Sequence, residues 1–128
     1  MRQLLILIAL LGVVALCTGA ALAHPPADIK LTLDAASHVL TVTAMHQSQD
    51  TSKHYVSEID VWLNDNLIVI QKFTGQTDAA TQIASYVINA AKTGDTIRVN
   101  AVCSIRGTKM VESKVDDIPA SGQNNKVI

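Results

Sequence analysis

Between residues 29 and 115 apolar side chains return at every second position in short runs, and no stretch keeps a helical period for three turns. A period of two puts successive side chains on opposite faces of an extended chain, so each run reads as a half-buried strand. Seven strands are expected, at Ile29–Leu33, Val39–Met45, Tyr55–Leu63, Leu67–Phe73, Ile83–Ile88, Thr96–Ser104 and Lys109–Val115. Asn64-Asp65-Asn66 is a tight hairpin signal, because Asn and Asp tolerate positive φ. Gly94-Asp95 and Arg106-Gly107 punctuate the later strands, and Thr74–Gln82 reads as a polar loop. Seven short strands in about 90 residues, with no repeat and no linker, predict one all-β domain. The expected architecture is an immunoglobulin-like antiparallel β-sandwich.

The two flanks read differently. Met1-Arg2-Gln3 carries a positive charge, and Leu4 to Leu16 is an apolar run short of bilayer length. Ala21-Leu22-Ala23 then supplies the small-x-small pattern that signal peptidase cuts. Residues 1–23 are therefore expected to be an export signal, with His24 as the first residue of the mature chain, residues 24–115 as the domain and 116–128 as a frayed tail. The expected destination is the periplasm or the exterior, in soluble form. Cys17 leaves with the signal, so Cys103 is the single cysteine of the mature chain. In an oxidising compartment an unpaired cysteine is a small buried hydrophobe, a metal thiolate or half of an intermolecular disulfide.

Composition excludes several functions. A formal net charge of −1 without basic runs is not the footprint of a nucleic-acid binder. With 48% hydrophobic and 16% charged residues the chain is not disordered. Four aromatics (Tyr55, Trp62, Phe73 and Tyr86) are too few for a stacking platform. No Ser-His-Asp spacing, Gly-rich phosphate loop or CxxC pair is present. Glu58 and Asp60 share one face of the third strand and are expected to form its solvated side.

Histidines and the cysteine carry the remaining chemistry. Leu40, Val42, Ala44 and His46 share one phase of the second strand, and Ile97, Val99, Ala101 and Cys103 share the apolar phase of the sixth. If consecutive strands alternate in direction, His24 before the first strand, His46 ending the second, His54 opening the third and Cys103 ending the sixth all meet at one pole. His38 falls at the other end. Three imidazoles and a thiol suit iron, zinc or copper, whereas magnesium or calcium would want oxygen ligands.

The same residues resemble the superoxide reductases, the desulfoferrodoxin and neelaredoxin group. His46 followed by His54-Tyr55-Val56 is similar to that family's H-P-M…H-Y-I segment. Gly94-Asp95 leading to Ala101-Val102-Cys103-Ser104-Ile105-Arg106-Gly107 is similar to its G-D…Y-C-N-x-H-G ending, and His24-Pro25-Pro26 to its early H-x-P-x-I segment. The resemblance spans roughly residues 24 to 115. It implies an immunoglobulin-like domain with mononuclear non-haem iron, His24, His46 and His54 as equatorial ligands and Cys103 as the axial one. It also implies one-electron reduction of superoxide to peroxide. Without a rubredoxin-type cysteine cluster, the electron donor would be a separate protein.

The chain departs from the family at three points. Arg106 stands where the family has its fourth histidine, and a guanidinium stays protonated and does not ligate. The His46 to His54 spacing is two residues longer. The Glu-Lys pair that precedes the family's first histidine is absent from the expected mature chain, and Arg106 is expected to attract the superoxide anion in place of that lysine. Two other readings compete with the iron reading. One is a metal-free sandwich acting as a binding module. The other is a copper protein that grips Cu(II) through the amine and ring of an N-terminal His24, joined by His46 or His54. A homo-oligomer is compatible with each.

Overall fold

The computed structural model describes residues 23–122. Residues 1–22 of the expected signal segment and 123–128 of the expected tail lie outside these residues. Seven strands follow one another as β1 Asp28–Asp34, β2 Val39–Met45, β3 Val56–Leu63, β4 Asn66–Lys72, β5 Thr81–Val87, β6 Thr96–Cys103 and β7 Thr108–Lys114. They form two antiparallel sheets, ordered β1-β2-β5 and β4-β3-β6-β7. The result is the expected all-β sandwich. In constant-type immunoglobulin domains the fourth strand joins the first sheet. Here it stays beside β3, because Asn64 and Asp65 (φ 47° and 68°) close a two-residue turn that pairs Leu63 with Asn66.

Alternation sets the core. β2 contributes Leu40, Val42 and Ala44, β3 contributes Ile59 and Val61, and β6 contributes Ile97, Val99 and Ala101, all fully buried. Burying each of the larger aliphatic side chains contributes about 1.5–3 kcal/mol. β6 shows the pattern most plainly, with every second residue buried along its length. At the far end of the sandwich Asn64 and Asp95 lock the β3–β4 turn to the start of β6. The Asn64 amide donates to Asp95 at 2.8 Å, and the Thr96 N–H donates to Asn64 Oδ1 at 2.9 Å.

Three expectations need correction. Glu58 and Asp60 do share the outer face of β3, but only Glu58 reaches solvent, where it pairs with Lys72. Asp60 is 9% exposed; it lies on an interior strand, between Ile70 of β4 and Asn100 of β6 in register. Burial raises its carboxyl above the ordinary range, and the Asn100 amide, 3.4 Å away, offsets this in part. Second, the loop after β4 ends earlier than Gln82, which lies within β5 and is buried. Asp78 accepts the Ala80 and Thr81 N–H groups and so starts the strand at Thr81. Third, the segment after β7 does not fray at once. A short 3-10 turn at Val115–Asp117 delivers Ile118 to the core, and the Leu33 N–H donates to Pro119 O at 2.9 Å.

Candidate metal centre

One pole of the sandwich gathers three imidazoles from three separate segments. His46 arrives by strand phase. It continues the buried row Leu40, Val42, Ala44 one step beyond β2 and is 1% exposed. Its N–H donates to Ala80 O at 2.9 Å, so the chain keeps its pairing with the segment before β5.

His54 arrives through a folded-back loop. Asp50 O accepts the N–H groups of Lys53 and His54 at 3.1 and 2.9 Å, and Asp50 Oδ1 accepts from Ser52 N–H and Oγ. This turn folds the loop between His46 and His54 back on itself. His54 is thereby set two residues ahead of β3, with ring centroids only 4.6 Å from those of His46.

His24 arrives on a stiff arm. Pro25 and Pro26 fix their own φ, and the Ala27 N–H donates to Met45 O at 2.7 Å, laying the arm beside the end of β2. The His24 ring centroid lies 5.0 Å from that of His46 and 5.1 Å from that of His54. One ring nitrogen from each residue lies within 4.8 Å of the other two.

The polar groups around the triangle define what it accepts. Gln76, from the β4–β5 loop, places Oε1 2.8 Å from His46 Nδ1 and 3.2 Å from the Val56 N–H. Its amide nitrogen donates to His46 O and Asp78 O at 2.7 and 2.9 Å. His46 Nε2, on the other side of its ring, lies 3.2 Å from His24 O. His54 Nε2 is buried without a hydrogen-bond partner. Buried polar atoms are normally paired, so a nitrogen without a well-formed hydrogen bond is free to take a further partner. Burial, and then the neighbouring His46 and His24 rings, lower the pKa of His54 below its ordinary 6.5, and the nearby His24 backbone carbonyl offsets this in part. The environment favours a neutral imidazole, the form that binds metal. No carboxylate belongs to the group among the described residues, so its chemistry suits zinc, copper, iron or nickel rather than calcium or magnesium.

The other residues singled out in the sequence take different places. Cys103 ends the buried row of β6 at the same pole, opposite Val56 in register, and is a free thiol with 4% exposure. Its N–H donates to Gly107 O at 2.9 Å. It is outside the group of mutually close ligand atoms, which holds the three histidines. Arg106 is exposed in the turn between β6 and β7. His38 sits at the opposite pole, in the β1–β2 turn with φ 57°. Gln76 was missed by sequence reasoning, which saw only a polar loop. A glutamine carries no metal-site signal until its partner across the fold is known.

The lowered pKa of His54 makes metal-free stability depend on pH with a definite sign. The unfolded chain takes up a proton near 6.5 and the folded chain only at lower pH, so the contribution is complete above 6.5 and is lost as pH falls below it. Asp60, with its raised pKa, acts in the opposite sense in a window above 3.8. Urea midpoints measured at about pH 7.5 and about pH 5.5 are expected to show the protein less stable at the lower pH, with the slope flattened in His54→Gln. A slope unchanged in that variant would remove His54 as its source.

No protein-family model matches the sequence, and neither a curated protein nor a solved structure matches it.

Proposed function

We propose that this chain is an exported mononuclear metal-binding protein of desulfoferrodoxin type, in which His24, His46 and His54 hold non-haem iron. The observation that carries the reading is the convergence of three imidazoles from distant segments, with His54 Nε2 buried and unpaired at their meeting point. Cys103, on the core-facing row of β6 at the same pole, is the nearest candidate in sequence pattern for an additional thiolate ligand. When bound, iron supplies the one electron that, with two protons, converts superoxide to hydrogen peroxide. A separate donor protein returns that electron. The chain's own contribution is to hold three ring nitrogens in place and to set the positive charge of Arg106 on the exposed turn at that pole, where it attracts an anion.

Copper is the second reading, favoured by the position of Cys103 outside the close group of nitrogens. It would need the mature chain to begin at His24, whose amine then becomes a ligand. N-terminal sequencing that finds any other start removes it.

The test is anaerobic purification and iron loading, followed by visible spectra before and after oxidation. Near-stoichiometric iron with a thiolate-to-ferric charge-transfer band is expected, and Cys103→Ser is expected to lose the band. Tight copper uptake that is indifferent to Cys103→Ser would put the copper reading first. A protein that takes up neither metal would leave a metal-free binding module. In the iron-loaded protein Arg106→Ala should slow superoxide consumption by about 10-fold at low salt. An unchanged rate would remove Arg106 from the function.

A further inference from the structure

Gln76 meets the His46 ring at Nδ1 and makes four hydrogen-bond contacts, which decide what that ring presents. Oε1 and Nε2 of a glutamine look alike in shape, so their assignment rests on the partners. In the orientation described, Oε1 accepts from the Val56 N–H, and the amide NH2 donates to His46 O and Asp78 O. The reversed amide would press an oxygen against two carbonyl oxygens and an NH2 against the Val56 N–H. Three backbone groups therefore fix Oε1 on the side of His46, where it can only accept. His46 Nδ1, 2.8 Å away, must carry a proton to donate to it.

A neutral imidazole has one N–H. With the proton on Nδ1, the lone pair is on Nε2, the nitrogen that lies beside the His24 backbone. His24 O, 3.2 Å from Nε2, is the more distant rival for the same proton, and His54 Nε2 nearby lacks a hydrogen-bond partner. A lone pair on His46 Nε2 beside the unpaired His54 Nε2 gives an electron-pair acceptor two neighbouring nitrogens to bind. A metal ligand that donates its other ring N–H to a fixed oxygen is held in tautomer and in orientation, and such outer partners are typically worth 10–100-fold in metal affinity.

We infer that Gln76 is a positioning residue that imposes the Nδ1–H tautomer on His46 and so turns the lone pair of Nε2 toward His24 and His54. The inference rests on the metal-centre reading for its purpose, but the tautomer itself is measurable without metal. Without Gln76, the ring gains more by moving its proton to Nε2 and donating to His24 O, which withdraws the lone pair from the centre.

The experiment is long-range proton–nitrogen NMR of the histidine rings in the metal-free protein at about pH 8, above the ordinary histidine pKa, followed by Zn(II) titration. The wild-type spectrum is expected to show His46 protonated at Nδ1 and bare at Nε2. Gln76→Leu should shift His46 toward the Nε2–H form and weaken Zn(II) binding by about 10–100-fold. Gln76→Glu keeps an acceptor for Nδ1–H while losing both amide donors, so it should retain the tautomer despite lower stability. Asp78→Ala loosens the same loop through the Ala80 and Thr81 bonds and should also leave the tautomer alone. Wild-type His46 found as Nε2–H, or a tautomer that Gln76→Leu does not move, overturns the inference. So does Asp78→Ala moving it as far as Gln76→Leu. A wild type with the Nδ1–H pattern that takes up no Zn(II), copper or iron upholds the hold of Gln76 on the ring and overturns the metal-centre reading instead.

Discussion

Replacing His24 by alanine is expected to weaken Zn(II) or Co(II) binding by more than about 100-fold, since loss of a ligand should exceed the 10–100-fold cost of losing an outer partner. The metal-free fold should survive. His24 lies on the arm before β1, contributes nothing to the core cluster, and its ring makes one hydrogen-bond contact, to Pro25 O of its own arm at 3.1 Å. The two histidines left behind, His46 and His54, cannot close a three-nitrogen site. Calorimetric titration checks the affinity and thermal unfolding of the metal-free protein checks the fold. An affinity within a few-fold of wild type would place the ion elsewhere and end the three-histidine assignment. His46→Ala is a poorer test, because His46 is fully buried in continuation of the β2 core row and its loss leaves a cavity as well as a missing ligand.

How much of this was legible in the sequence follows from the range of each signal. Strand alternation is local, and it located all seven strands to within a few residues. The Asn64-Asp65 turn was legible because positive φ restricts which residues serve there. Strand phase placed His46 and Cys103 on buried rows, since phase is preserved along an extended chain. What failed depended on neighbours across the fold. Asp60 alternates like a surface residue, and only its place on an interior strand, beside Asn100, makes it buried. Ile118 follows two aspartates and looked like tail, whereas a backbone bond between Leu33 and Pro119 draws it onto the core. Gln76 acts through Val56, His46 and Asp78, none of which is predictable from its own segment. The convergence of His24, His46 and His54 was legible for a different reason. It required only the directions of the strands and the end at which each histidine falls, not any detail of side-chain contact.

The arm that carries His24 depends on one glycine far away in sequence. Gly107, in the turn between β6 and β7, has φ +89°, and a Cβ built on it would stand 2.8 Å from Pro25 Cβ and 3.2 Å from Pro25 Cα. Pro25 is next to His24 and its ring is rigid, so the arm itself must move to make room. Gly107→Ala therefore carries two separable penalties. The first is backbone strain at positive φ, costing about 1–3 kcal/mol. The second is displacement of His24 from the triangle. Gly94→Ala isolates the first, because Gly94 has φ +85° with nothing within 4 Å of its would-be Cβ, and it precedes β6 whereas the histidines gather where β6 ends. Both variants should lower the thermal midpoint of the metal-free protein, Gly107→Ala the more because Pro25 must also move. Only Gly107→Ala should also weaken Zn(II) binding, by about 10-fold or more, the scale of losing an orienting contact. Equal metal affinity in the two variants would show that the Pro25 contact does not set the position of His24, and that the arm finds the other two histidines by its own stiffness.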